Sequence, residues 1–217
     1  GFVSNHLPMD LAHKMADARM EGLKLVVVDP VGINSGSKAT EWVPIRPGTD
    51  AALALAMANV MVNEEGIYDR EFLVRYTNGP YLIGEDGRYL RDPLTRKACP
   101  FDDPEVEEMA LEGRFEVNGR TAPTAFTLLK EHLRKYTPEK MSEVTTIPAQ
   151  TIRRLGREFA QTAQVGSTIT INGVVLPYRP VCANWYRGAI AHKHAMLNGL
   201  AIELLNVLVG AIDVPGG

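Results

Sequence analysis

Two neighbouring stretches decide the fold of this sequence. The first is LKLVVVDP, residues 23–30, and the second is EWVPIRPGTDAALALAM, residues 41–57. The apolar run from Leu23 to Val28 predicts a short strand that is covered on both faces. Asp29-Pro30 ends this strand, because proline cannot donate a hydrogen bond to a sheet ladder. Trp42 to Ile45 predicts a second short strand.

Helices flank both predicted strands. Residues 4–21 place apolar side chains on one helical face. After the second strand, Pro47-Gly48-Thr49-Asp50 opens a helix that runs to about Asn63, with Thr49 or Gly48 as its N-cap. The order helix, strand, loop, strand, helix predicts an α/β fold with an open sheet flanked by helices. A first strand is expected before Gly1.

The rest of the chain is predicted to be mostly helical. Asp86-Gly87 indicates a hairpin turn within residues 81–91, because Asp-Gly supplies the positive φ that such turns require. Residues 97–124 are polar and lack a clear period, and the stretch at about 84–124 is predicted to be a surface excursion. Pro180–Trp185 predicts a strand. Helices are predicted at residues 68–76, at 126–136, from 138, at 147–163 and at 190–209.

Composition and charge exclude several classes of protein. The 217 residues are 45% hydrophobic and carry a formal net charge of −3, which is typical of a globular domain and gives no basic surface for nucleic acid. No run approaches the ~18 apolar residues of a membrane span. Cys99 and Cys182 are too few for a self-contained four-cysteine zinc or iron–sulfur site. Residues 1–217 are therefore predicted to form one α/β domain.

The two ends of the sequence indicate a piece of a longer polypeptide. The chain begins at Gly1 without a signal-type segment. It ends with the turn sequence DVPGG, residues 213–217, directly after an apolar helix, and turns normally lead into further structure. A processed or tagged small protein is the alternative.

The candidate ligand site lies at strand ends. In open α/β sheets, ligands bind beyond the carboxyl ends of the strands, where loops and helix N-termini meet. Asp29 holds one such position, Thr49-Asp50 begins the helix after the next strand, and Asn5-His6 begins the first helix. Amides there suit phosphates, and carboxylates suit a ribose hydroxyl or a base edge with donor groups. The alternatives are a turn aspartate at Asp29 and a helix-start charge at Asp50.

Common catalytic and metal motifs are absent from the sequence. It contains no GxxxxGK[ST] phosphate loop, no HExxH and no GxSxG. His192 and His194 are two residues apart, so on a helix they point to different sides and do not form a metal pair. No GxGxxG follows a predicted strand, which argues against the alternative of a nicotinamide-dinucleotide protein. A non-enzymatic interaction module of exposed helices is the other alternative.

Five stretches of the sequence carry a resemblance to a known family. The two most specific are KLVVVDP at residues 24–30 and ATEWVPIRPGTDAALALAM at residues 39–57. The others are YDREFLVRYTN at 68–78, YTPEKMSEVTTIP at 136–148 and LVGAIDVPGG at 208–217. Together they resemble catalytic subunits of the molybdopterin oxidoreductase (dimethyl sulfoxide reductase) family, over nearly the whole chain apart from about 84–124.

The resemblance implies a bis(molybdopterin guanine dinucleotide) enzyme with molybdenum or tungsten, in which a Rossmann-like domain holds one guanine dinucleotide. By position, Asp29-Pro30-Val31 matches the strand-end contacts, Gly48-Thr49-Asp50 the guanosine contact and Asn5-His6 the glycine-loop contact. Val31 stands where many members have Arg, so one phosphate or base contact is lost or supplied elsewhere. The metal ligand, the iron–sulfur cysteines of the N-terminal part and the C-terminal pterin domain are not in this chain. The chain is therefore expected to hold part of the cofactor without catalysing the reaction.

The same resemblance places Asn184–Gly188, with His192 and His194, on the side of the metal centre. Arg187 or His194 is predicted to approach the pterin or the substrate funnel, and packing against an absent domain is the alternative. The expected partners are an iron–sulfur electron-transfer subunit and the remaining domains of the same catalytic polypeptide. The chain by itself is also expected to form a homo-oligomer.

Overall fold

The computed structural model describes residues 9–33, 36–98, 109–117 and 119–217, and for residues 9–12 it describes the backbone alone. The helices in these ranges are α1 Met9–Met20, α2 Asp50–Asn59, α3 Arg70–Tyr76, α4 Ala125–Leu133, α5 Pro138–Thr145, α6 Ala149–Thr162, α7 Arg187–Ile190 and α8 Ala195–Val209. The strands are β1 Val26–Val28, β2 Glu41–Val43, β3 Arg114–Val117, β4 Arg120–Pro123, β5 Thr168–Ile171 and β6 Val174–Pro177. A π-helical turn, Val60–Glu64, continues α2.

β1 and β2 form a parallel pair at the two positions where the sequence predicts strands. Val26 lies opposite Glu41, and Val28 lies opposite Val43. The pair is rich in valine because β-branched side chains pack well on a pleated surface. On one face of the pair, Val43 enters a core cluster together with Ile45. The α/β fold class is confirmed, and in the part of the chain that the structure covers the parallel sheet consists of this pair.

Helix α2 lies at the centre of the molecule. Its sequence DAALALAMAN offers only Asp50 and Asn59 as polar residues, so nearly its whole surface is apolar. Such a helix is stable only when other elements surround it, and α2 packs against α5, α6 and α8. The approach of α6 is close because Gly156 has no side chain. A Cβ at Gly156 would lie 3.0 Å from the Met57 carbonyl oxygen.

Ion pairs join α6 to the parallel strands. Arg154 on α6 is hydrogen-bonded to both carboxylate oxygens of Glu41 on β2, and its Nη1 also lies 3.1 Å from Glu158. The Nζ of Lys24 lies 2.7 Å from the same Glu158 carboxylate. These side chains are partly exposed, so the pairs add little to stability but fix how α6 lies against β2.

The predicted surface excursion is partly built into the core. Within residues 81–91, Gly87 turns a hairpin with φ of 74°, as the Asp-Gly pair predicts. Further along, β3 and β4 form an antiparallel hairpin. Leu111 and Ala122 are each 2% exposed and therefore belong to the core. Thr124 holds this stretch in place, because its hydroxyl donates to the Leu111 carbonyl over 2.8 Å at the start of α4.

The predicted strand at Pro180–Trp185 is wrong. This segment belongs to no helix or strand, and at Ala183 its backbone bonds to a side chain on α8. The N–H of Ala183 donates to Asn206 Oδ1, and Asn206 Nδ2 donates back to the Ala183 carbonyl, each over 2.8 Å. The amide of Asn206, which is 4% exposed, therefore takes the place of a neighbouring strand.

A hairpin that the sequence analysis did not predict precedes this segment. β5 and β6 pair antiparallel, with Ile171 opposite Val174. Asn172 and Gly173 form the turn with φ of 51° and 81°. Asn-Gly is a strong signal for such a two-residue turn, so the sequence contained the information.

A buried ion pair connects three separate parts of the chain. Arg179 Nη2 lies 2.6 Å from Asp69 Oδ2, and the two residues are 5% and 7% exposed. The remaining donors of Arg179 reach the Val209 and Ser167 carbonyls, each over 3.0 Å. Asp69 also caps α3 by accepting the Phe72 N–H over 3.0 Å. The pair therefore holds the end of α8, the start of α3 and the chain after β6 together.

Breaking this pair from one side should destabilise the fold strongly. Arg179→Met is expected to lower the free energy of unfolding by about 3–5 kcal/mol, because it leaves the Asp69 carboxylate buried without its counter-charge. The measurement is urea unfolding followed by circular dichroism. Arg75→Met is the matched control, since it breaks the exposed pair of Arg75 with Glu71 and should change stability by less than about 1 kcal/mol. Equal losses in the two variants would contradict the structural role of the buried pair.

Candidate functional site

The candidate site lies where β1 and β2 end. Asp29 directly follows β1, and its backbone N–H donates to the Val43 carbonyl over 3.2 Å, which extends the ladder by one bond. The Asp29 carboxylate accepts the Val31 N–H over 2.8 Å and so forms an Asx-type turn around Pro30. Both Pro30 and Val31 are exposed. The three predicted strand-end residues therefore lie together at the carboxyl edge of the parallel pair.

Trp42 of β2 supports the loop that follows Asp29. Its indole N–H donates to the Asp29 carbonyl over 2.8 Å. The ring lies against two glycines of the loop, because a Cβ at Gly32 would come within 2.9 Å of the ring and a Cβ at Gly36 within 3.4 Å. The loop therefore packs directly on the indole.

The start of α2 forms the second part of the site. Thr49 is the N-cap residue, as predicted, but its side chain makes no capping bond. Its hydroxyl instead donates to the Arg46 carbonyl over 2.7 Å, because the backbone of Thr49 is not in the extended conformation that aims a cap at the helix. Gly48 has φ of 77°, and nothing lies within 4 Å of a Cβ built there. A ligand can therefore approach the backbone at this turn.

Asp50, the first residue of α2, is half-buried and lies among other charged groups. Burial raises the pKa of its carboxyl above the ordinary value. The backbone N–H of Asp50 and the charge of His192 lower this pKa, and the charge of Asp29 raises it. Asp29 and His192 therefore each lie within electrostatic range of Asp50. The sequence analysis considered only the helix-start amides at Asp50, whereas burial is the largest effect.

The corner between α7 and α8 brings His192 to the site. Arg187 begins α7 and His194 is the N-cap residue of α8, and both are exposed. His192 Nδ1 accepts the His194 N–H over 3.2 Å, and its Nε2 lies 2.9 Å from the buried amide of Asn198. The interaction of His192 with Asp50 depends on the packing of α8 against α2, for which no local sequence pattern exists. A role for Arg187 or His194 stays a prediction.

The predicted site residues Asn5 and His6 lie outside the described residues. Within the residues that are described, no group of three His, Cys, Asp or Glu side chains could hold a metal ion. None of the helices in these described ranges is long and apolar enough to cross a membrane.

The two carboxylates at the site are hydrogen-bond acceptors. The carboxylates of Asp29 and Asp50 can accept hydrogen bonds from ribose hydroxyls or from a base edge that carries two donors. The open turn at Gly48 leaves room for a ligand beside the helix start. The site thus gathers hydrogen-bond acceptors at a strand end and a helix start, a common location for ligands in α/β folds.

Comparison with known proteins agrees with the resemblance found in the sequence. The family model described as molybdopterin oxidoreductase matches residues 3–173. A sulfite dehydrogenase subunit of Allochromatium vinosum is 31% identical, over 100% of this chain and 26% of that protein. The molybdopterin-containing component of the arsenate respiratory reductase of Chrysiogenes arsenatis is 32% identical, over 91% of this chain and 19% of that protein.

A solved structure shows the same fold. Acetylene hydratase from Pelobacter acetylenicus superposes with a TM-score of 0.60 at 24% sequence identity, over 98% of this chain and 21% of that chain. The chain thus spans about a quarter or less of the length of the proteins that it matches.

The raised pKa of Asp50 predicts a pH-dependent effect of its substitution. Because burial raises the pKa in the folded chain, this group contributes stability below its ordinary pKa of 3.8, and the contribution is lost as the pH rises through the raised value. Asn stays neutral throughout. The stability of Asp50→Asn relative to the original chain is therefore expected to increase as the pH rises from about 4 to about 7, measured by urea unfolding.

Asp92→Asn is the control for this effect. A hydrogen bond from the Thr95 backbone lowers the pKa of Asp92. The contribution of the Asp92 charge to stability therefore changes with pH mainly below the ordinary pKa of 3.8. The relative stability of Asp92→Asn should stay nearly constant over the same range. A constant difference for Asp50→Asn as well would contradict the effect of burial on Asp50.

Proposed function

The chain belongs to the molybdopterin oxidoreductase family, and we propose that it binds the guanine dinucleotide half of the cofactor at the site formed by Asp29, Gly48 and Asp50. Family membership implies a molybdenum–pterin cofactor, and the guanine dinucleotide form is the proposed part. One observation carries the proposal: β1 and β2 are parallel, so Asp29 after β1 and Asp50 at the start of the helix after β2 lie at the same edge of the pair, and the charge of Asp29 acts on Asp50.

Asp50 is the proposed guanine contact. Guanine presents N1–H and the N2 amino group as adjacent donors, and one carboxylate can accept both in a parallel pair. Adenine offers one donor next to an acceptor on that edge, so the same carboxylate would repel it. The half-buried position of Asp50 strengthens this discrimination, because hydrogen bonds to a charge are stronger where less water competes.

Asp29 and the turns beside it are the proposed ribose and backbone contacts. The Asp29 carboxylate is proposed to accept hydrogen bonds from ribose hydroxyls, as an acidic residue after a strand does in dinucleotide-binding folds. Gly48 and Thr49 are proposed to contact the ligand through the open turn. Pro30 and Val31 are proposed to contact it through the backbone at the strand end. Asn5-His6 is proposed as the contact after the preceding strand.

Arg187 and His194 are the proposed contacts on the pterin side. Both are exposed at the α7–α8 corner. The same corner carries His192, which interacts with Asp50. The bound molybdenum–pterin group supplies the redox chemistry, and no residue of this chain is proposed to be catalytic.

The whole protein is proposed to be an oxidoreductase that transfers oxygen atoms or electrons to a small substrate, as the names of the relatives suggest. A second proposed cofactor is an iron–sulfur cluster in its N-terminal part. Its proposed partners are further domains of the same polypeptide and an iron–sulfur electron-transfer subunit. A nicotinamide-dinucleotide protein is the weaker interpretation, because the loop glycines Gly32 and Gly36 pack on Trp42 rather than forming a GxGxxG turn.

Nucleotide binding by the 217-residue chain tests the proposal. Guanosine diphosphate is expected to bind more tightly than adenosine diphosphate in isothermal titration calorimetry. Asp50→Asn should weaken the binding of guanosine diphosphate by about 1–3 kcal/mol, roughly 5- to 150-fold in affinity, because it places an amide donor against the guanine donors. Inosine diphosphate, which lacks the N2 amino group, should bind more weakly than guanosine diphosphate to the original chain.

Asp86→Asn is the matched control, since Asp86 lies in the exposed hairpin turn and its substitution should leave both affinities unchanged. Equal affinities of the original chain for the guanine and adenine nucleotides would refute the proposal. In the full-length protein, Asp50→Asn should reduce retention of the guanine cofactor more than that of a cytosine cofactor.

A further inference from the structure

The geometry points to Trp42 as a positioning residue of this site: its indole fixes the loop that carries Asp29, and Gly32 is required because the ring fills the space of a side chain. The inference rests on the proposed function, since Asp29 is one of the proposed ligand contacts. Neither Trp42 nor Gly32 is among the residues that the sequence analysis assigned to the site.

Core packing does not account for the placement of Trp42. Successive side chains of a strand point to opposite faces, and Val43, its neighbour in β2, is buried in the core at 3% exposure. Trp42 therefore points to the other face of the pair, where 43% of it is exposed. An indole is large and apolar, and on this face it lies against Gly32 and Gly36 of the loop after β1.

The indole N–H completes the anchoring of Asp29. The N–H of Asp29 donates to the Val43 carbonyl over 3.2 Å, and the carbonyl of Asp29 accepts the Trp42 indole N–H over 2.8 Å. Both main-chain groups of Asp29 are thus tied to β2. The Val31 N–H then fixes the carboxylate. A carboxylate held in this way loses little further freedom when a ligand binds, which favours affinity.

Gly32 makes this arrangement possible. A Cβ at Gly32 would lie 2.9 Å from Cδ2 and Cε3 of Trp42, closer than side chains approach each other. The ring cannot move away without losing the bond to Asp29. At Gly36, by contrast, a Cβ would lie 3.4 Å from the ring, an ordinary contact. The two glycines therefore form a matched pair for substitution by alanine.

The first experiment measures hydrogen exchange of the free chain by mass spectrometry and needs no ligand. Trp42→Phe keeps an aromatic ring but removes the donor, and Gly32→Ala displaces the ring. Both are expected to increase exchange about tenfold in the segment around Val31, from the loss of one hydrogen bond or its equivalent. Unchanged protection in both variants would overturn the inference.

The controls remove comparable groups elsewhere. Trp185→Phe also deletes an indole hydrogen bond, to Glu203 on α8, and Gly36→Ala adds the same methyl group at the position with room. Neither should change exchange around Val31. An equal increase with Gly36→Ala would show that the loop tolerates no methyl group at all, which would also overturn the specific role of Gly32.

The second experiment separates positioning from simple stabilisation. Trp42→Phe should weaken binding of guanosine diphosphate by about five- to tenfold, the scale of one hydrogen bond. In an Asp29→Ala chain the same substitution should have no further effect, because the side chain that it positions is gone. An equal loss in both backgrounds would make Trp42 a structural residue only. If the original chain binds no guanine nucleotide, the proposed function fails, and the exchange experiment alone decides the role of Trp42.

Discussion

Helix α2 is apolar on nearly every side, and this constraint shapes the rest of the structure. An apolar helix must be surrounded, so α5, α6, α8 and the parallel strands all pack around it. Its first residue is the exception, because Asp50 is a carboxylate at the edge of this core. The same packing that stabilises the helix therefore raises the pKa of the group proposed to read the base. The packing of the core therefore also sets the electrostatics of the candidate site.

Buried polar side chains, rather than a strand ladder, hold the chain after β6 in place. Arg179 uses its donors on Asp69 and on main-chain carbonyls, and Asn206 pairs with the backbone of Ala183. Arg179, Asp69 and Asn206 are themselves buried and hydrogen-bonded, which is the condition under which a buried polar group is tolerated. The chain after β6 can therefore run beside α8 without a ladder, and it leads to the corner that carries His192.

Local sequence patterns predicted the fold well where the residues that form an element are neighbours in the sequence. The valine run, Asp29-Pro30 and Pro47–Asp50 define strand, turn and helix within a few residues, and strand ends of a parallel pair converge by geometry. Pro180–Trp185 was misjudged because its partner, Asn206, lies on a helix further along the chain. His192 and the burial of Asp50 could not be predicted, because both depend on how α8 and α2 pack.

The three-residue strand β2 serves both faces of the parallel pair at once. Glu41 and Val43 connect to α6 and the core, whereas Trp42 between them supports the loop of Asp29. A slip of one residue against β1 would exchange these roles, placing the indole in the core and a carboxylate under the loop. A wrongly aligned strand would thus lose core, ion pair and ligand loop together. A misaligned strand is therefore less stable than the correct one even when no ligand is bound.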